Sequence, residues 1–148
     1  MQRSLLVVLL FLLSVDLAGA QKLEFTNPDG IPTPERYTHV VRAGNLIFIS
    51  GQVGRDASGQ IVGPGMREQF DQTLKNVITA LKSQGADVSN LAKITTYVTD
   101  MEEYQSPEVR DVRARLFGNH KPASTSVEVV RLANSAYKVE VEAIAVLP

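Results

Sequence analysis

The sequence predicts an α+β domain in the order ββαβαββ, one sheet with two helices on one face. Three observations predict it. Two segments carry apolar residues at helical spacing, a Gly-Asn pair near the start separates two short apolar runs, and the last stretch, PASTSVEVVRLANSAYKVEVEAIAV, alternates as a pleated strand does.

Residues 27–34 are rich in proline and read as an ordered loop, because the apolar pattern begins shortly after them. Residues 39–43 and 46–50 flank Gly44-Asn45, a two-residue hairpin signal. The connection GQVGRDASGQIVGPG, residues 51–65, holds five glycines and reads as a long series of turns. A helix over 66–84 follows from Phe70, Leu74, Val77, Ile78 and Leu81 on one face, with Gly85 as its stop. Residues 91–100 are β-branched and read as a strand. Ser106-Pro107 is an N-cap followed by proline at the first helical position. Val109, Val112, Leu116 and Phe117 then share a face until Gly118. Strands over 124–131 and 137–146 finish the chain. On the last one Tyr137, Val139, Val141, Ala143 and Ala145 share one side, and Lys138, Glu140, Glu142, Ile144 and Val146 share the other. This second row is charged at one end and apolar at the other, as a partly covered surface would be. A homo-oligomer burying it between subunits is one explanation and a solvated outer face is another.

The chain has 148 residues and a net charge of −1. Residues 1–20 read as a cleavable signal peptide: Arg3 precedes the apolar run at 5–13, and Ala18-Gly19-Ala20 supplies the small residues a signal peptidase requires. The run is too short to span a bilayer. The expectation is an exported protein, periplasmic or secreted, with one domain over 21–148. Removing the leader takes away Arg3 and Asp16 and leaves the net charge unchanged. That balance carries no footprint for nucleic acid or for an anionic membrane. Cysteine is absent, so stability has to come from the core or from partner subunits.

With two histidines, His39 and His120, and no cysteine, the sequence offers no zinc pattern, and no metal is expected. It has no G-x-S-x-G elbow around Ser50. Gly63-Pro64-Gly65 precedes a helix but lacks the lysine of a phosphate loop. Among the carboxylates, Glu108 sits in a first helical turn, where the helix dipole favours an anion. Glu128 reads as a solvated or cross-strand partner. Glu140 lies among valines on the mixed face, where burial would raise its pKa and suit it to proton transfer.

The segments RYTHVVRAGN, NLIFISGQVG, NVITALKSQGADVSNLAKITTYVTDM and PASTSVEVVRLANSAYKVEVEAIAV together resemble the reactive intermediate deaminase family, Rid or YjgF, over about residues 25–146. The resemblance implies a chorismate-mutase-like fold with a six-stranded sheet. It also implies a homotrimer whose sheets form a central barrel, with ligand clefts between subunits. It further implies cofactor-independent hydrolysis of imines and enamines to a keto acid and ammonia. An arginine grips the substrate carboxylate and a last-strand glutamate assists.

Position by position, Tyr37 matches the family tyrosine at the cleft mouth, Ser50 and Gly51 match its Ser-Gly step, and Glu140 matches its glutamate as the catalytic residue. The arginine is replaced. Where the family reads Pro-Ala-Arg this chain reads Pro122-Ala123-Ser124, and Ser126 stands for the cysteine of many members. Ser124, Thr125 and Ser126 are therefore the expected ligand contacts, favouring a neutral or cationic ligand over a small carboxylate. Arg36 is a candidate substitute cation, and Glu108 an acid that would repel a carboxylate. Two function classes remain open: a hydrolytic deaminase with altered substrate preference, and a non-catalytic trimer that binds a small polar molecule.

Overall fold

The computed structural model describes residues 21–148. The predicted signal peptide and its cleavage after Ala20 lie outside the described residues. Ten elements follow: β1 Leu23–Thr26, β2 Val40–Ala43, β3 Leu46–Val53, α1 Met66–Lys82, a 3₁₀ turn Val88–Asn90, β4 Leu91–Val98, α2 Met101–Tyr104, α3 Pro107–Phe117, β5 Ala123–Glu128 and β6 Val139–Val146. The sheet runs β1-β2-β3-β6-β4-β5. All neighbours are antiparallel except β4 and β5, whose parallel pairing needs the crossover that α2 and α3 supply.

Both long helices form where apolar residues recur at their spacing. α1 buries Met66, Phe70, Leu74, Val77 and Leu81, and α3 buries Val109, Val112 and Phe117. They meet Ile47, Ile49, Ile94, Val98, Val139, Val141, Ala143 and Ala145 on one face of the sheet. Each large buried side chain contributes about 1.5–3 kcal/mol to holding this layer together. The first turn of α1 has no side-chain cap of its own; the amide of Met66 donates instead to Glu103 Oε1 at 2.9 Å. α1 ends before Gly85, whose φ of 71° suits glycine, and α3 ends at Gly118, φ 56°. Ser106 precedes Pro107 as expected, but its side chain makes no capping bond.

Among the described residues the opposite face carries no helix. Leu23, Phe25, Leu46, Phe48 and Val146 on it are each more than a third exposed, and the row of Glu140, Glu142 and Ile144 continues them across β6.

Several boundaries differ from the sequence expectation, for physical reasons. The sixth strand, β1, is exposed at every residue but Thr26, so no buried alternation marks it. β5 ends at Glu128 rather than 131, and β6 begins at Val139 rather than 137, because residues 129–138 form the loop between them. α2 was not expected; Asp100 starts it by accepting from the Glu103 amide at 2.8 Å. β3 was expected to stop at Ser50 and instead continues to Val53. Its pairing with β6 steps from Ile49↔Ala143 to Gln52↔Val141, so Ser50 and Gly51 together oppose one residue. That is a β-bulge, which bends a strand and re-aims its side chains.

Candidate functional site

The bulge sits at the floor of a cleft of about 450 Å³ on the helix-free side of the sheet. β3 contributes Ser50, Gly51 and Val53, β6 contributes Glu140, and loops contribute Tyr37, Arg55, Ala133 and Tyr137. The volume falls within the range of small-molecule sites, about 300–1,000 Å³.

Each wall is held by bonds that the sequence supplies locally. The Ser50 hydroxyl donates to the Thr38 carbonyl at 2.6 Å, and the Ser50 amide donates to the His39 carbonyl at 2.9 Å, tying the bulge to the segment that carries Tyr37. His39 is buried beneath it. Its Nε2 bonds the Pro32 carbonyl at 3.0 Å and its Nδ1 faces Gln52 Nε2 at 3.1 Å. Since a glutamine Nε2 only donates and a carbonyl only accepts, the tautomer with its proton on Nε2 matches both partners. The Tyr37 ring packs edge-on against that imidazole, with centroids 5.6 Å apart. On the helical side of the sheet Gln69, fully buried on α1, donates to the carbonyls of Gly63 and Ala136 and accepts from the Lys138 amide at 2.9 Å. These bonds clamp the approach to β6, including Tyr137.

Glu140 is half-buried, and two causes push its carboxyl above the ordinary value of 4.5: burial first, then the neighbouring carboxylate of Glu142. Gly51 lies directly against it. A Cβ at Gly51 would come within 2.7 Å of Glu140 Cδ and 2.9 Å of Cγ, so the glutamate occupies space that any larger residue would fill. Burial first, then Glu140 and Tyr137, raise the Tyr37 phenol above its ordinary value, with Arg55 acting against them. A carboxyl of raised pKa facing a cleft of this size can take a proton from water and return it to a leaving group.

Tyr37, Ser50, Gly51 and Glu140 thus lie together on one cleft. Ser124, Thr125 and Ser126 are not brought to them within one chain. They lie on β5 at the far edge of the sheet, with β4 between that strand and β6. There Ser124 Oγ accepts from Arg113 Nη1 at 3.3 Å. Arg36 is exposed and absent from the cleft lining, and Glu108 is exposed in the first turn of α3. Four lining residues escaped the sequence reading, and two of them, Tyr137 and Arg55, are polar. Tyr137 was placed on the Val139 side of the last strand, but it precedes β6 and lines the cleft. Arg55 was passed over inside a glycine-rich connection, although it stands four residues beyond the Gly51 step, an interval that a turn can fold back on the site.

The family model described as endoribonuclease L-PSP matches residues 29–147. A RutC family protein of Pyrococcus horikoshii is 36% identical over 110 residues, 74% of this chain and 85% of the relative. The mouse 2-iminobutanoate/2-iminopropanoate deaminase is 38% identical over 111 residues, 74% of this chain and 80% of the relative. Among solved structures, a Rid-family protein of Yersinia pestis superposes with a TM-score of 0.79 at 26% identity, covering 85% of this chain and all of that one.

Proposed function

The chain belongs to the endoribonuclease L-PSP family, the Rid/YjgF group, and from that premise we propose that its cleft hydrolyses imines and enamines to carbonyl compounds and ammonia. The observation that carries this reading is Glu140, a half-buried carboxyl with a raised pKa lying on Gly51 at the cleft floor. An enamine first isomerises to its imine. Glu140, ionised, takes a proton from a water attacking the imine carbon, and the carbon–nitrogen double bond becomes single. The same carboxyl gives that proton to nitrogen and then relays the hydroxyl proton to it as well, so that ammonia leaves as the carbon–oxygen double bond closes. The sequence of steps consumes one water and needs no redox partner. The raised pKa makes the carboxylate a stronger base than an ordinary glutamate, which favours the first proton transfer.

The family-model name points to RNA, but the residues favour a small molecule. The net charge is −1, both ring nitrogens of His39 are engaged, and His120 Nε2 is bonded to the Leu91 carbonyl at 2.8 Å. Within the deaminase reading the preference is altered, since Ser124 replaces a bidentate cation with one neutral hydroxyl. The helix-free face supports a homotrimer that buries its apolar residues. In such an assembly the hydroxyl run of Ser124, Thr125 and Ser126 would reach a neighbour's cleft. Export, with a mature N-terminus at Gln21, is a further proposal, tested by the mass of the protein recovered outside the cytoplasm.

The test is keto-acid release from freshly generated 2-iminobutanoate and longer 2-imino acids, scored against spontaneous hydrolysis with a scavenger present. Acceleration by the wild type that Glu140→Gln removes supports the reading. A wild type that matches the spontaneous rate on every imine, yet binds the keto acids, would instead establish the non-catalytic binder.

A further inference from the structure

The cleft contains a cation that the reaction steps above leave unused. Arg55 lines the same 450 Å³ space as Glu140. Its backbone is fixed on both sides: the amide donates to the Val53 carbonyl at 2.8 Å, and the carbonyl accepts from Asn76 Nδ2 at 2.9 Å. Its guanidinium is fixed as well, with Nε donating to the Gly59 carbonyl at 2.7 Å. Gly59 has φ 83°, and a Cβ there would fall 2.6 Å from Arg55 Nη2, so the turn has to be glycine for the guanidinium to lie on it.

No carboxylate neutralises this cation among the described residues, whose ion pairs involve Lys75, Arg115 and Lys138. The adjacent acid, Asp56, is turned onto its own loop, where Oδ1 accepts from Ser58 N, Ser58 Oγ and Gln60 N at 2.7–3.0 Å. A tethered, half-buried guanidinium with free Nη donors is preorganised for an oxyanion. Its position relative to Glu140 decides which one. Tyr37 and Arg55 also line an adjoining recess of about 80 Å³ with Pro32, His39 and Asn76, and Glu140 is not part of that lining. Arg55 therefore holds the end of the cleft that opens into this recess, away from the proton carrier.

We infer that this cleft selects imines and enamines whose anionic group lies several bonds from the reacting carbon, with Arg55 as the residue that binds that distal anion. The inference rests on the deaminase reading for the word substrate, but the anion site stands on Arg55 alone. It also gives the loss of a cation at position 124 a consequence: the charge is read from the other end of the cleft, and small α-imino acids lose their grip while longer dianionic ones keep one.

The test uses 2-oxoglutarate and 2-oxoglutaramate, which differ only in whether the distal group is an anion or a neutral amide, with binding followed by calorimetry. The wild type is expected to bind the dianion roughly 10- to 100-fold more tightly, the range for hydrogen bonds to a charged group. Arg55→Gln is expected to remove that preference and leave the amide's affinity unchanged, and Arg55→Lys to keep part of it. Equal wild-type affinities for the two compounds overturn the inference, as does a preference that survives Arg55→Gln. Should the glutamine variant not fold, the lysine variant decides: severalfold weaker dianion binding with unchanged amide binding supports the site, and no change in either overturns it. Binding requires no turnover, so the two readings fail separately. An Arg55-dependent dianion preference in a protein that leaves every imine at its spontaneous rate sinks the deaminase reading alone. An active enzyme indifferent to Arg55 sinks this inference alone.

Discussion

Gly51→Ala is the smallest change that should disable the cleft. The bulge places Gly51 so close to Glu140 that an added Cβ would meet Cδ at 2.7 Å and Cγ at 2.9 Å. Ordinary contact between carbons is about 3.5–4.0 Å, so the glutamate has to retreat by about 1 Å. A misplacement of about 1 Å can cost about 100-fold in rate. Loss of the proton carrier outright, as in Glu140→Gln, costs about 10²- to 10⁴-fold. The two variants should therefore be impaired to comparable degrees although only one touches an ionisable group. The stability cost is small, because Glu140 is the flexible partner: an off-rotamer side chain costs about 0.5–1.5 kcal/mol, a few degrees of melting temperature in a domain of this size. The assay is initial keto-acid release alongside thermal unfolding. A Gly51→Ala protein with wild-type activity would refute the claim that Glu140 works from its position on the bulge. A variant that unfolds at ambient temperature would show that the bulge needs glycine for stability instead.

Ser124→Arg should raise kcat/KM toward 2-iminopropionate, about tenfold for each 1.4 kcal/mol of carboxylate binding recovered, while leaving longer dianionic imines little changed; no gain on the small imine would remove position 124 from the site. Glu140 has a raised pKa in the folded state, so its contribution to stability is full below the ordinary 4.5 and is lost as pH rises through the raised value. Glu140→Gln should accordingly melt above the wild type at pH 8, with the gap closing below about pH 4, and a gap that widens in acid would contradict the burial assigned to this carboxyl. Light scattering should report a mass about three times that of one chain, since the apolar residues of the helix-free face need cover; a folded monomer at micromolar concentration would leave Leu23, Phe25 and Phe48 unexplained.

What could be read in advance follows from where the physics is local. Both long helices were legible, since their apolar residues recur every three or four positions and glycine ends each one. The buried and open rows of β6 were legible because alternation is a property of the strand itself. β1 was not, because it lies at the sheet edge with nearly every residue exposed and owes its form to pairing with β2. The bulge was not legible either: Gly51 looks like the end of a strand, and only pairing with β6 carries the chain on to Val53. Within the site, Tyr37, Ser50, Gly51 and Glu140 came from the family resemblance, and the structure gathers all four. Arg55 was hidden because its place depends on the turn that Asp56 and Gly59 build, not on any spacing along the chain. The neighbourhood of Ser124 was hidden by strand order, which sets β5 one strand away from β6.

The central claim, that Glu140 moves the proton in hydrolysis within this cleft, is tested most directly by the pH dependence of kcat/KM for imine hydrolysis in the wild type and in Glu142→Gln. Activity should rise with pH along a limb lying above the ordinary carboxyl value of 4.5, because the ionised form is the base and burial with Glu142 raises its pKa. Removing the Glu142 charge should move that limb to lower pH while catalysis persists. A limb that stays where it was in Glu142→Gln, or a rate that matches spontaneous hydrolysis across the whole range, would contradict the account.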